Sequence, residues 1–299
     1  MLWQKGRSSD NVVEDEGGGG GGGGGGPGFG GGRGLGIGGV IIVIIVGLLF
    51  GKNPGDILQM LSSMSGGGDG SGQPMPQQQV APAGNDEQTE FVRKILGSTE
   101  DVWGQLFQAS GKQYPAPRLV LFHGAVQSAC GAASAAMGPF YCPGDRQVYL
   151  DLDFFQEMQR RFHAAGDFAR AYVIAHEVGH HLQNLMGVMD QVERQAQRGT
   201  PMQGANGLSV RQELQADCFA GVWANLAQKQ LNWLESGDVE AALNAANQIG
   251  DDTLQKQSRG YAVPDSFTHG TSAERVRWFR SGFSSGDLKN CDTFSAAQL

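Results

Sequence analysis

Residues 87–299 of this 299-residue chain are predicted to form a mainly helical α+β domain with one small β-sheet. Three observations carry that reading. Short apolar runs punctuated by Pro and Gly fall between residues 118 and 152, and a 3.6-residue apolar period dominates from residue 154 onward. Glycine is also unevenly spread: 21 of 48 precede residue 52, including the unbroken run Gly17 to Gly26, and 20 remain for residues 87–299. A few strands followed by many helices is the pattern of an α+β domain, whereas the glycine-rich front cannot build a core.

In chain order, residues 1–33 read as a Gly-rich, disordered cytoplasmic tail. The stretch Leu35 to Phe50 (LGIGGVIIVIIVGLLF) carries no charge and is bracketed by Arg33 and Lys52, so residues 34–52 are expected to form one transmembrane helix. Gly34 to Gly51 would span roughly 27 Å as a helix. A cleaved signal peptide fits poorly, because the acidic Glu14, Asp15 and Glu16 precede the apolar run and no small-residue cleavage site follows promptly. Lys5, Arg7 and Arg33 outnumber Lys52 around the stretch and favour an amino terminus in the cytoplasm, with the remainder outside. Residues 53–86, rich in Gly, Ser, Pro and Gln, read as a flexible linker.

Within residues 87–299, Glu90 to Ala109 has helical spacing. Arg118 to His123 (RLVLFH) is a short strand, and Gly138 to Cys142 pairs with Gln147 to Leu152 around Pro143-Gly144-Asp145. Helices are expected over Phe154 to Ala165, Phe168 to Met186, Ser209 to Leu231, Asp238 to Gln257 and Ser272 to Phe283.

A formal charge of −8 and a pI near 5.2 exclude a phosphate-backbone binder, so nucleic acid is not an expected partner. Cys130, Cys142, Cys218 and Cys291 permit three pairings, and nearness in sequence favours Cys130 with Cys142 and Cys218 with Cys291. No Cys-x-x-Cys is present, which makes structural disulfides a better reading than a cysteine metal site.

Chemistry concentrates at His176-Glu177-Val178-Gly179-His180. Two histidines four apart on a helix share a face and can converge on one metal ion, while Glu177 is rotated away and can reach a water as general base. His181 points about 100° from His180 and is expected to be a supporting polar residue. The long three-histidine form of the motif is absent, since Gln183 and Met186 occupy the positions of its Gly and third His. A third zinc ligand is therefore expected from Glu213 in Glu213-Leu214-Gln215-Ala216-Asp217, with Asp217 one turn on as acceptor of a ligand imidazole N–H and Glu193 as the spare candidate.

HEVGHHLQ, then ELQADCFAGVWA, then HGTSAERVRWFRSGF resemble, in that order, the neutral zinc metallopeptidase family of bacteria. The Glu-x-x-x-Asp helix is also similar to that of gluzincins. The resemblance covers nearly the whole chain and implies a zincin-like fold behind an amino-terminal membrane segment. It also implies one catalytic zinc on His176, His180 and Glu213, with Glu177 as general base and Asp217 as anchor. In similar gluzincins a His-Pro segment and an Arg lie near the site; here His269 and Arg275 stand in that segment, with Gly270 in place of the proline. His269 is a candidate oxyanion donor and Arg275 a partner for Asp217 or for substrate carbonyls, with Tyr261 a weaker oxyanion candidate.

The function these features favour is a zinc-dependent metalloendopeptidase held in the bacterial inner membrane by a single pass, its domain facing away from the cytoplasm and acting on peptides or proteins. An extended substrate would add to an edge strand supplied by QVYLDL or GPFYC. The alternative is a membrane-tethered binding or regulatory protein that keeps zinc and cleaves nothing; a metal-free interaction domain requires both motif helices to be coincidence.

Overall fold

The computed structural model describes residues 1–15, 80–134, 138–155 and 166–299. The expected transmembrane helix, the glycine run, residues 53–79 of the linker and nearly all of the helix expected over 154–165 lie outside the described residues. Among the described residues no helix is long and apolar enough to cross a membrane.

Fourteen elements position the site. They are β1 (Val12–Asp15), β2 (Val80–Pro82), α1 (Glu87–Ala109), β3 (Arg118–Phe122), β4 (Ala125–Ser128), β5 (Gly131–Ser134), β6 (Phe140–Cys142) and β7 (Gln147–Asp151). Helices follow as α2 (Asp167–Leu185), α3 (Val188–Gln197), α4 (Leu208–Leu231), α5 (Asp238–Gln248), α6 (Asp251–Arg259) and α7 (Ser272–Ser285). Five strands form one sheet in the order β2-β1-β3-β7-β6, and β4-β5 is a separate hairpin. The α+β class is as expected.

Strands β3 (RLVLF) and β7 (QVYLD) pair in parallel at the sheet centre and are buried from their second residues onward, which is why both are apolar without strict alternation. β6 pairs antiparallel with β7 across the Pro143-Gly144-Asp145 turn. Among the described residues it ends the sheet, so GPFYC, not the interior QVYLDL, lies at an edge.

The front of the chain departs from expectation. Residues 1–15 do not form a disordered tail: β1 runs parallel to β3 (Val12↔Leu119 to Glu14↔Leu121) and antiparallel to β2 (Val13↔Pro82 to Asp15↔Val80). Trp3 is buried and meets Phe91 edge-on at 5.6 Å between ring centroids. Ser9 and Asn11 donate to Glu100 of α1, and the Leu2 amide donates to Trp233 O at 2.7 Å. A Cβ at Gly97 would stand 3.0 Å from the Arg7 carbonyl carbon and 3.2 Å from the Ser9 nitrogen, so glycine there lets the segment before β1 lie against α1. The glycine tract beside a four-residue strand, half of it charged, hides the pairing from a reading of composition.

Each helix has a local cause. Asp86 caps α1 by accepting the Gln88 and Thr89 amides at 3.0 Å each, with Glu87 and Glu90 in the first turn. α7 opens with a complete capping box between Thr271 and Glu274. The single helix expected over 238–257 is two, because Gly250 is extended and packs against the Ser272 backbone, where a Cβ would lie 2.6 Å from the Ser272 Cα. Helix α3 was not anticipated.

Two close crossings set the helical layer. A Cβ at Gly179 of α2 would stand 3.1 Å from the Ala216 Cα and carbonyl oxygen of α4. Gly221 of α4 and Gly282 of α7 form the second crossing, where added Cβ atoms would lie 2.7 Å from Phe283 N and 2.8 Å from Val222 N. Disulfides join Cys130 to Cys142 and Cys218 to Cys291, the pairing that nearness favoured.

Candidate metal centre

The Gly179–Ala216 contact faces the motif turn of α2 with that of α4. His176, His180 and Glu213 then present ligand atoms all within 4.8 Å of one another. His176 Nε2 is 3.1 Å from Glu213 Oε2, and His180 Nε2 is 3.5 Å from Glu213 Oε1. The three are 6–7% exposed, whereas the groups behind them, Asp217, Tyr172 and Gln183, are 0%. The centre therefore opens on one side and is sealed on the other.

Both imidazoles are fixed from that sealed side. His176 Nδ1 is 2.8 Å from Asp217 Oδ1, and His180 Nδ1 is 2.8 Å from Gln183 Oε1. With Nδ1 protonated in each ring, Nε2 carries the free lone pair and faces the ligand cluster. Asp217 is held in turn by Arg275 in two-pronged fashion, with Nε to Oδ2 and Nη2 to Oδ1 at 2.9 Å each, and by the Tyr172 hydroxyl. Gln183 donates to Gln212 O at 2.7 Å and to Gln215 Oε1 at 3.1 Å, and Gln215 donates to Cys291 O at 3.1 Å. The Cys218–Cys291 disulfide thus joins the same hydrogen-bonded network.

Charge in the centre follows from these contacts. Burial opposes ionisation of Asp217, but Arg275 and His176 outweigh it and bring its pKa down to about 2. Burial likewise opposes ionisation of Glu213, yet the facing histidines hold its pKa well below the ordinary carboxylate range. Two carboxylates converging on the His176 ring raise its pKa to about 10 against the effect of burial. Such a cradle favours a positive charge at its centre. Glu177 goes the other way: burial raises its pKa, and its Oε2 is fully buried with no hydrogen-bond partner among the described residues. A buried carboxylate oxygen without a partner, one residue from the ligand face, still needs a hydrogen-bond donor, so the donor set and Glu177 fit a hydrolytic metal site.

His269 enters from the loop before α7. Its Nε2 is 3.9 Å from Glu213 Oε2, and its Nδ1 is 2.8 Å from the Thr268 hydroxyl. Asp251 holds this loop by accepting the Thr268, His269 and Gly270 amides. Gly270 has φ +85°, a conformation closed to proline, whose ring fixes φ near −65°. That accounts for the departure from the His-Pro pattern.

Arg275 pairs with Asp217. His181 is no ligand: its ring lies between the Tyr141 hydroxyl at 3.1 Å and Pro115 O at 2.7 Å, and burial lowers its pKa to about 4. Glu193 is exposed on α3 and accepts from Gln197, and Tyr261 is 62% exposed. Tyr172, Gln183, Gln215 and Asp251 belong to the site without having been marked as supports in the sequence. Their only signal was polarity at positions that helical phase buries. A second group, His123, Asp151 and Asp153, also clusters, but the Asp151 oxygens already accept the Gly124 and Asp153 amides and so serve the turn after β3 and the chain leaving β7.

Comparison with known proteins agrees with this geometry. A sequence profile of the family described as "Putative neutral zinc metallopeptidase" matches residues 1–294. The chain belongs to this family. It is 49% identical over 298 residues to the uncharacterized protein YpfJ of Escherichia coli K12, covering 98% of this chain and 99% of that one. It is 46% identical over 212 residues to the uncharacterized protein Rv2575 of Mycobacterium tuberculosis H37Rv, covering 68% and 69%. No solved structure matches. The family match begins at residue 1, so the folded front of the chain is part of what the family shares.

Proposed function

We propose that the protein is a zinc-dependent metalloendopeptidase with a zincin-like site, acting on extended peptide segments. The carrying observation is Glu177 Oε2, buried and without a hydrogen-bond partner among the described residues, beside three candidate ligands of which the two imidazoles are anchored from behind. Zinc held by His176, His180 and Glu213 supplies a Lewis acid that lowers the pKa of a water and polarises a peptide carbonyl.

The protein's own groups do the rest. Glu177 takes the proton of the attacking water at Oε2 and delivers it to the leaving nitrogen, a role suited to a carboxylate whose pKa burial raises. In the tautomer in which the Thr268 hydroxyl donates to His269 Nδ1, Nε2, which lies beside Glu213, carries the N–H that would donate to the oxyanion. Asp217, clamped by Arg275 and Tyr172, keeps His176 in its ligand tautomer. Edge strand β6 is tied to α2 through the Tyr141 hydroxyl, which accepts from Asn184 at 2.8 Å, so a substrate strand paired along β6 would run past the metal helix. The two disulfides support a location outside the cytoplasm, where such bonds persist.

The test is Glu177→Gln in the purified full chain, measuring zinc per chain and cleavage of an unfolded protein substrate. One zinc retained with cleavage reduced about 10²-fold or more is expected. Cleavage at the wild-type rate overturns the mechanism, and a zinc-loaded wild type that cleaves no peptide leaves a binding protein with a structural metal.

A further inference from the structure

The turn between β6 and β7 holds a cation that its own fold does not use. Arg146 closes the turn by donating its amide to Cys142 O at 2.9 Å, beside the register pair Cys142↔Gln147. Its φ is +61°, a left-handed conformation that favours glycine or asparagine and is uncommon for a residue with a long side chain. Among the described residues the exposed Arg146 side chain makes no hydrogen bond or ion pair. The adjacent Asp145 is turned inward: its Oδ2 accepts the Ala129 amide at 2.9 Å and the Tyr149 hydroxyl at 2.8 Å, and its Oδ1 accepts the Gln147 amide at 3.1 Å. The Cys130–Cys142 disulfide braces the same turn, as does Gly144, where a Cβ would lie 3.2 Å from the Ala129 Cβ. A rigid mount thus presents a free guanidinium.

That mount is fixed to the metal helix. The Tyr141 hydroxyl of β6 accepts from Asn184 Nδ2 at 2.8 Å and lies 3.1 Å from His181 Nδ1, both residues of α2 and the second next to His180. Pro115 O can only accept, so His181 Nε2 donates to it at 2.7 Å, and a ring with one proton takes the Tyr141 hydroxyl hydrogen at Nδ1. Burial raises the Tyr141 pKa to about 12 and lowers that of His181 to about 4, and the Arg146 charge reaches both groups. The guanidinium therefore stands at the end of β6, beside the part of α2 that carries His180. A peptide strand laid along β6 passes this end with alternate side chains facing one way. We infer that Arg146 determines specificity by taking a carboxylate of the bound peptide, either an acidic side chain or a terminal carboxylate. The inference rests on the peptidase reading only for the path of the peptide along β6. Guanidinium and carboxylate match in charge and in two-pronged geometry. An arginine held where glycine would be free of strain is then accounted for by what it binds.

The test reads binding apart from cleavage. Zinc-loaded full chain carrying Glu177→Gln is titrated by calorimetry with three octapeptides: an end-blocked one alternating Thr with Glu, its end-blocked twin alternating Thr with Gln, and the Gln twin with a free carboxyl end. A Kd about 3–10-fold lower for a carboxylate-bearing peptide than for the blocked Gln twin is expected, the scale of one charge-assisted pair at a surface. Which of the two carboxylate peptides gains tells a side chain from a chain end. Adding Arg146→Ala is expected to bring the ratio to about 1, and adding Arg146→Glu to reverse it. A ratio that Arg146→Ala leaves unchanged, or no binding of any of the three, overturns the inference. Arg146→Gly is expected to lose the preference with Tm unchanged, because glycine suits this backbone. A lowered Tm would make Arg146 a structural residue and also overturns the inference. Should the Arg146-dependent preference hold while zinc-loaded wild type cleaves neither these peptides nor an unfolded protein, the peptidase reading alone fails and Arg146 keeps its role.

Discussion

Gly221→Ala tests whether the α4–α7 crossing holds the metal centre. The added Cβ would meet the Phe279 carbonyl oxygen and stand 2.7 Å from Phe283 N, against about 3.4 Å or more for ordinary contact. Both obstacles are helix backbone, so no side chain can rotate aside. Relief requires α7 to move away by at least ~0.7 Å, a displacement on the scale of overpacking that costs roughly 1–3 kcal/mol. Replacing a helical glycine recovers about 1 kcal/mol of propensity, so the steric term decides the sign only if the crossing is as close as described. The balance is a net loss of up to about 2 kcal/mol, a Tm lower by up to about 8 °C in a domain of this size. The same movement stretches the Arg275–Asp217 bonds from 2.9 Å to about 3.6 Å, beyond hydrogen-bonding range. Because Asp217 positions His176, zinc affinity is expected to fall about 10–100-fold. Thermal melting and competitive zinc titration measure the two effects. An unchanged or raised Tm with unchanged zinc affinity would refute the reasoning, since propensity alone would then have acted.

Three further outcomes are expected. Glu213→Ala removes one of the three proposed ligands and should abolish retention of zinc through gel filtration while leaving far-UV circular dichroism unchanged; a full equivalent of zinc retained would exclude Glu213 as a ligand. Asp86→Ala removes the α1 cap and should cost about 1 kcal/mol at neutral pH. The Thr89 hydroxyl and amide hold the Asp86 pKa below its ordinary 3.8, so this contribution is complete above 3.8 and is lost as pH falls through the lower folded value; the gap between wild type and variant should close in acid. The double variant Cys218→Ser/Cys291→Ser opens a closure of 73 residues, worth about 4 kcal/mol by loop entropy, and frees the Gln215–Cys291 strap behind His180. A melt matching that of the intact protein would show that the strap is not under tension from the chain.

Legibility in the sequence followed the reach of the interactions. His176, His180, Glu213 and Asp217, which the structure brings together, could be picked out as candidates because groups on two helices that converge on one point repeat at four-residue spacing, and the helix period around them is set locally. The disulfide pairing followed from chain nearness. Tyr172, Gln183 and Gln215 were invisible as supports because a buried polar side chain acquires its role from a partner on another helix. Strand β1 escaped for a related reason: VVED has no alternation to mark it, and its partner β3 lies beyond a glycine tract, an apolar stretch and helix α1. Gly250, an ordinary residue in a helical run, became a break only because Ser272 packs against it.

The placement of β1 also fixes an order of events in time. During synthesis Val12 emerges early, but its parallel partner Leu119 is made more than a hundred positions later. At ~5–20 residues per second the first strand waits roughly 5–20 s for the surface it completes. β6 and β7 follow one another closely and can pair as soon as both are out, whereas the β1–β3 ladder closes a long loop and forms slowly. A nascent chain stalled before β3 carries Trp3 and Val12 without their full cover, an apolar end that only the later two thirds of the sequence conceals.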